Sequence, residues 1–186
     1  MSHPDGHPAW DVLVDEMVVA AARLTQAAPD AFPPTAPRPG TSDASIAAAV
    51  ARLGQPLDAQ HEALLRCADG WESVLLGGDL LSAEQLGAGE LWAGAQVSLD
   101  VCYAEGDSAG WPARDELVPV HASAQDIDVI AVWLGGPQTD GGHPVVWFAG
   151  EVAGQWPDLR AWWRRMLVLQ ERSLARVLAL TGRAPS

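Results

Sequence analysis

The chain of 186 residues is about one domain long, and its 48% hydrophobic content with nine Trp suffices for a packed core and excludes a disordered chain. Formal net charge is -13 and every basic side chain is Arg, a balance that repels nucleic acid and anionic membranes and favours cationic partners. No apolar run reaches the roughly 18–20 residues of a membrane-spanning helix, and the start "MSHPDGHPAW" has neither the basic nor the apolar segment of a signal peptide, so cytoplasmic residence is expected.

A first helix is predicted over 8–28. Trp10, Leu13, Val14, Met17, Val18, Ala21 and Leu24 form one apolar stripe at three-and-four spacing. Five prolines between positions 29 and 39 then make 29–41 a semi-rigid extended tether. A second helix starts at Ser42 or Asp43, buries Ile46, Val50 and Leu53, and stops at Gly54. Asp58 caps a third helix whose inward face is Leu64, Leu65 and Ala68.

The third helix runs into "LLRCADGWE". Gly70 fits the position just past a helix end, where a left-handed backbone suits glycine, and Trp71 would fold back onto Leu65 and the stem of Arg66. Beyond it, 73–78 reads as a short strand and 80–96 as a helix or helical turn capped at Ser82. Residues 97–103, "VSLDVCY", alternate weakly and are predicted as a strand, with 104–116 an acidic loop. Strands follow at 116–120, 127–134 and 144–149, rich in Val, Ile and Trp. The chain closes in a long helix, with Pro157 in its first turn and Arg160, Arg164, Arg165, Arg172 and Arg176 beside a broad apolar face; Gly182 is its expected stop.

Helices first, then strands, then a closing helix predict an α+β fold: an antiparallel or mixed sheet of about four to six strands covered by helices. The expected organisation is a helix over 1–28, the tether over 29–41 and one α+β domain over 42–186.

The segment "IAAAVARLGQPLDAQHEALLRCADGW" resembles the entry motif of the SUKH superfamily, which includes bacterial toxin-immunity proteins and fungal cell-wall assembly regulators. Leu53-Gly54, Leu57, Leu64-Leu65, Asp69-Gly70 and the following Trp71 fall in register with that motif. Asp58 stands where the family has Pro, and His61 where it has Tyr. The later strands and "WPDLRAWWRRML" also resemble the family, and the likeness spans roughly 42–170. It implies a binding protein rather than an enzyme, one that neutralises a cognate and typically basic toxin, such as a nuclease, without chemistry or cofactor of its own.

Charge supplies a candidate contact surface for such a protein partner: Glu105, Asp107, Asp115 and Glu116 with Asp126 and Asp128, anchored by Trp111. A regulatory scaffold module is the second reading. The third is a metal-dependent hydrolase built on Asp126, Asp128, His121 and His143, although their spacing matches no specific metal pattern. No catalytic residue, metal ligand or cofactor is assigned. Cys67 and Cys102 are read as packing residues, the latter on a strand or loop, and a monomer or weak homodimer is expected.

Overall fold

The computed structural model describes residues 9–75, 77–105 and 110–181, the side chain of Glu105 excepted. Helices α1 (Trp10–Ala27), α2 (Asp43–Leu53) and α3 (Ala59–Cys67) come first, then strands β1 (Trp71–Leu75) and β2 (Gly78–Leu80). Helix α4 (Gly89–Glu105) and a single 3-10 turn (Arg114–Glu116) lead into β3 (Leu117–Ala122), β4 (Val129–Trp133), β5 (Val145–Phe148) and β6 (Val152–Trp156). Helix α5 (Leu159–Thr181) closes the fold. The fold is α+β, and its six strands pair antiparallel in chain order.

Alternate residues of the central strands serve two cores, because successive side chains of a strand point to opposite faces. Ile130, Val132 and Val145 meet α1 and α5, in a core that holds Trp10, Met17, Trp71, Trp162 and Trp163. Val129, Ala131, Val146 and Phe148 meet α2 and α4 through Ile46, Ala49, Leu99 and Cys102. Both faces are covered, so β3 is buried along its whole length. Helix α3 joins the two cores: Leu64 belongs to the first and Leu65 to the second.

The predicted helices at the N-terminus form, with Ser42 Oγ accepting from the Ser45 N–H and Asp58 accepting from Gln60 and His61 as caps. The stop at "ADGW" differs in detail. Helix α3 ends at Cys67 with Ala68 already extended, so Gly70 is not the residue that ends it. Gly70 has φ 87°, and a Cβ there would lie 3.0 Å from the Ser82 Cβ, so both conformation and space select glycine. Trp71 packs in the core of Leu64 rather than onto Leu65, and its Nε1 donates to Thr35 Oγ1 at 2.9 Å.

Four further corrections concern elements. Residues 97–103 are helical, because Ala95, Leu99 and Cys102 recur at helical spacing on the buried side of α4, which leaves Val97 and Val101 outside. Cys102 is therefore on a helix. The stretch 73–78 is divided between β1 and β2 of a hairpin, with Leu76 outside the described residues. Strand β6 was not expected, and the closing helix starts on Asp158, whose Oδ1 accepts from the Ala161 N–H, rather than on Pro157. Gly182 lies outside the described residues.

The proline-rich segment is docked rather than loose. Pro39 bridges Ala68, Arg38 N–H donates to the Gly70 carbonyl, and Thr41 N–H donates to the Leu65 carbonyl. Asp69 completes the junction, accepting from the Ala83 N–H at 2.6 Å.

Candidate functional site

Antiparallel register fixes where the acidic residues go. Leu117 pairs with Trp133 and Ala122 with Val129, so Asp115 and Glu116 lie at one end of β3 while Asp126 and Asp128 lie at the other. Five strand steps, roughly 17 Å, separate the two groups. The surface expected from the sequence is thus divided between two ends of the sheet.

The acids also differ in what they touch. Glu116 Oε2 accepts from Trp133 Nε1 at 2.8 Å, and Asp128 Oδ1 accepts from Trp147 Nε1 at 2.9 Å. Each half-buried carboxylate thereby satisfies an indole N–H that would otherwise lack a partner at the edge of the core. Asp115 and Asp126 are exposed. Glu105 ends α4 with its side chain outside the described residues, as is Asp107.

Trp111 joins the Asp126 end. Its half-buried ring stands edge-on to Tyr103 at 5.3 Å and to Phe148 at 5.7 Å, and Phe148 pairs with Val129. Tyr103 donates its hydroxyl hydrogen to the Pro112 carbonyl, which pins the returning chain to α4. Beside this aromatic group the 123–128 turn presents Ile127, which is 47% exposed, between Asp126 and Asp128. The neighbouring turn adds exposed Glu151, and Gly150 lies beneath the Ile127 side chain. An exposed apolar residue flanked in the chain by Asp126 and Asp128, with Glu151 on the neighbouring turn and Trp111 at the same end of the sheet, suits a partner carrying cations around an apolar recess. Ile127 and Glu151 were not singled out in the sequence. The alternation Asp-Ile-Asp was the available signal, since an apolar residue inside a polar turn has no core to join.

The opposite end carries a buried polar junction. Asp58 is 2% exposed, and its Oδ1 accepts from the Gln60 and His61 N–H groups. Its Oδ2 accepts from both the His143 N–H at 2.8 Å and His143 Nδ1 at 2.9 Å. Gln60 bridges the same elements, donating to the Asp140 carbonyl and accepting from the Arg160 N–H. The junction acts as a staple: Asp58 Oδ1 caps α3 while Oδ2 holds the 135–144 loop through His143, and Gln60 holds the start of α5.

His61, one position on from Gln60, is fully buried, and neither ring nitrogen has a partner among the described residues. Burial lowers its pKa to about 4, against the raising effect of Asp58. His121 is also buried, with Nε2 2.9 Å from the Leu75 carbonyl, and burial lowers its pKa too. His121 thus lies inside the first core, Asp126 on an exposed turn, and His143 at the far end of β4. The four residues raised for metal chemistry are not brought together. Among the described residues no group of three or more His, Cys, Asp or Glu side chains is placed to hold a metal ion.

Compared with known families and characterised proteins, the chain matches no family model and no curated sequence. No helix among the described residues is long and apolar enough to cross a membrane.

Proposed function

We propose that this chain is an immunity-type binding protein of the SUKH kind, which occludes a basic protein toxin by charge and shape and makes or breaks no bond. The observation that carries the reading is the Asp126 end of the sheet, which exposed Ile127, Asp126 and Glu151 share with half-buried Trp111 and Asp128. Net charge supports it: a field of -13 accelerates encounter with a cationic surface, and an apolar anchor then holds the complex. The motif from Leu53 to Trp71, set ahead of an antiparallel sheet and a closing helix, supports the family resemblance.

The proposal narrows the contact surface. Asp126, Glu151, Ile127 and Trp111 face the partner. Glu105 and Asp107 belong to the same chain segment as Trp111 and extend the acidic rim in sequence. Glu116 and Asp128 hold tryptophans, and Asp115 lies at the other end.

The scaffold reading draws less support, because it relies on a loose flank, whereas 38–41 is hydrogen-bonded to the α3–β1 junction. The test is to sequence the neighbouring genes for a large secreted protein with a variable C-terminal domain, and to co-express that domain with this chain. Growth is restored by the wild-type chain, and the Asp126→Arg/Glu151→Arg variant associates at least about tenfold more slowly at low salt. Asp115→Arg, at the far end, leaves the rate within a factor of about two. Equal on-rates for all three proteins, or growth restored equally by the double variant, would sink the proposed surface.

A further inference from the structure

A cavity of about 410 Å³ lies between the C-terminal half of α1, the proline-rich segment, β1 and α5. Its floor is apolar and buried: Ala21, Leu24, Val74, Leu75 and Met166. Phe32 and Pro33 form one wall, so the segment that the sequence presents as a tether is part of an enclosure. That wall is fastened on both sides. Thr25 donates its hydroxyl hydrogen to the Pro33 carbonyl, and Thr35 receives Trp71 Nε1 while donating to the Glu72 carbonyl. At the opposite wall the Gln170 amide is fixed by donation to the Val74 carbonyl at 2.9 Å.

The lining contains no Asp, Glu, Arg or His. That is unusual for a chain with 24 acids and 11 Arg, and the outer groove between α1 and α5 has Asp15, Glu16, Arg23, Arg164 and Glu171 in its walls. The polar groups at the cavity are all neutral: Thr25, Ser73, Gln125 and Ser173 stand toward its partly or fully exposed side. An apolar floor with a few neutral hydrogen-bonding groups at the mouth, in a volume of this size, is the make-up of a small-molecule site. A carboxylate or phosphate would enter without a cation to meet it, and a cation without a carboxylate. Desolvating either charge costs several kcal/mol, whereas an uncharged apolar body loses nothing by entering.

We infer that this cavity binds an uncharged amphiphile: a compact ring system or short acyl chain seated on Leu24, Val74 and Met166, with a hydroxyl or amide group at Gln125 and Ser173. The site is on the α1/α5 side of the sheet, and its mouth adjoins the proposed partner surface at one point, because Gln125 precedes Asp126 on the 123–128 turn; the other lining residues lie on different elements.

The test uses N-phenyl-1-naphthylamine, a neutral fluorophore, and its sulfonated analogue 1-anilinonaphthalene-8-sulfonate, with the full chain. The neutral probe binds saturably at one site and shows energy transfer from tryptophan, Trp71 being hydrogen-bonded to the lining residue Thr35. The sulfonate binds at least about tenfold more weakly. Ser173→Trp fills the mouth and reduces neutral-probe binding by at least about tenfold, while Val19→Glu on the exposed side of α1 leaves it unchanged. Should Ser173→Trp lose its circular-dichroism signature, Gln125→Trp on the exposed turn takes its place. No saturable uptake, equal binding of the sulfonate, or full binding by a folded mouth-filled variant overturns the assignment. Occupancy of the neutral probe that is lost only when a partner protein is bound would make the cavity a recess for that partner's side chain, and overturns it also.

Discussion

Asp58 and His143 lie 85 positions apart and meet through two hydrogen bonds, one to the histidine backbone and one to its ring. The same carboxylate caps α3, so one side chain fixes a helix start and a loop that crosses to the end of the sheet. Asp58→Ala removes a cap and leaves the His143 N–H and ring without their acceptor, a loss of about 2–4 kcal/mol. Asp58→Asn keeps the cap oxygen and costs less, and His143→Ala costs about 1 kcal/mol. Urea unfolding of the single and double variants gives the coupling directly; additive losses would show that the two residues act independently.

Stability falls with acid. His61 is neutral in the fold with a pKa of about 4, below its ordinary 6.5, so the unfolded chain binds a proton that the folded one refuses. Stability is present above the unfolded value and declines as pH drops from about 6.5 toward about 4, by on the order of 3 kcal/mol if His61 acts alone. His121, lowered by burial in the same direction, steepens the slope. Urea midpoints at pH 7 and pH 5 measure it. His61→Leu removes its share of the slope, and an unaltered slope in that variant would assign the acid sensitivity elsewhere.

The docked segment makes its own prediction. A Cβ at Gly40 would fall 1.9 Å from the Arg66 carbonyl oxygen, so Gly40→Ala displaces the segment from the end of α3. Backbone cannot yield as a side chain does, and the cost is about 2–3 kcal/mol. Thermal unfolding reads it, and proteolysis within 29–41 rises in parallel. A stable, protease-resistant variant would mean that the segment contributes nothing to the fold.

Adjacent acids separate by role. Glu116→Ala leaves Trp133 Nε1 without its acceptor and costs about 1–2 kcal/mol, whereas Asp115→Ala, exposed, stays within about 0.5 kcal/mol. Asp128 and Asp126 repeat the contrast around Trp147. Denaturant midpoints for the four variants decide it; equal losses within each pair would remove the distinction between structural and partner-facing carboxylates.

How much of this was legible follows from which forces are local. The apolar stripe of α1, the caps Ser42 and Asp58, and the β-branched runs of β3 to β5 are written in neighbouring residues, because helix and strand periods are local properties. The α+β class and the acidic field follow from them and from composition.

Tertiary structure decided the rest. Val97 to Tyr103 carries both a weak period of two and the spacing of Ala95, Leu99 and Cys102; only the need to cover the second face of the sheet selects the helix. Strand β6, with Gly154 and Gln155 at its centre, is held by backbone pairing to β5, which no side-chain pattern records. Likewise Glu116 and Asp115 are alike as residues, and it is a tryptophan 17 positions away that makes one structural. Sequence by itself set the first three helices, the central strands, the closing helix and the sign of the field, since all are sums over near neighbours. Which acids remain in solvent, and that a proline-rich stretch walls a neutral cavity, depend on contacts between distant segments that only the packed chain creates.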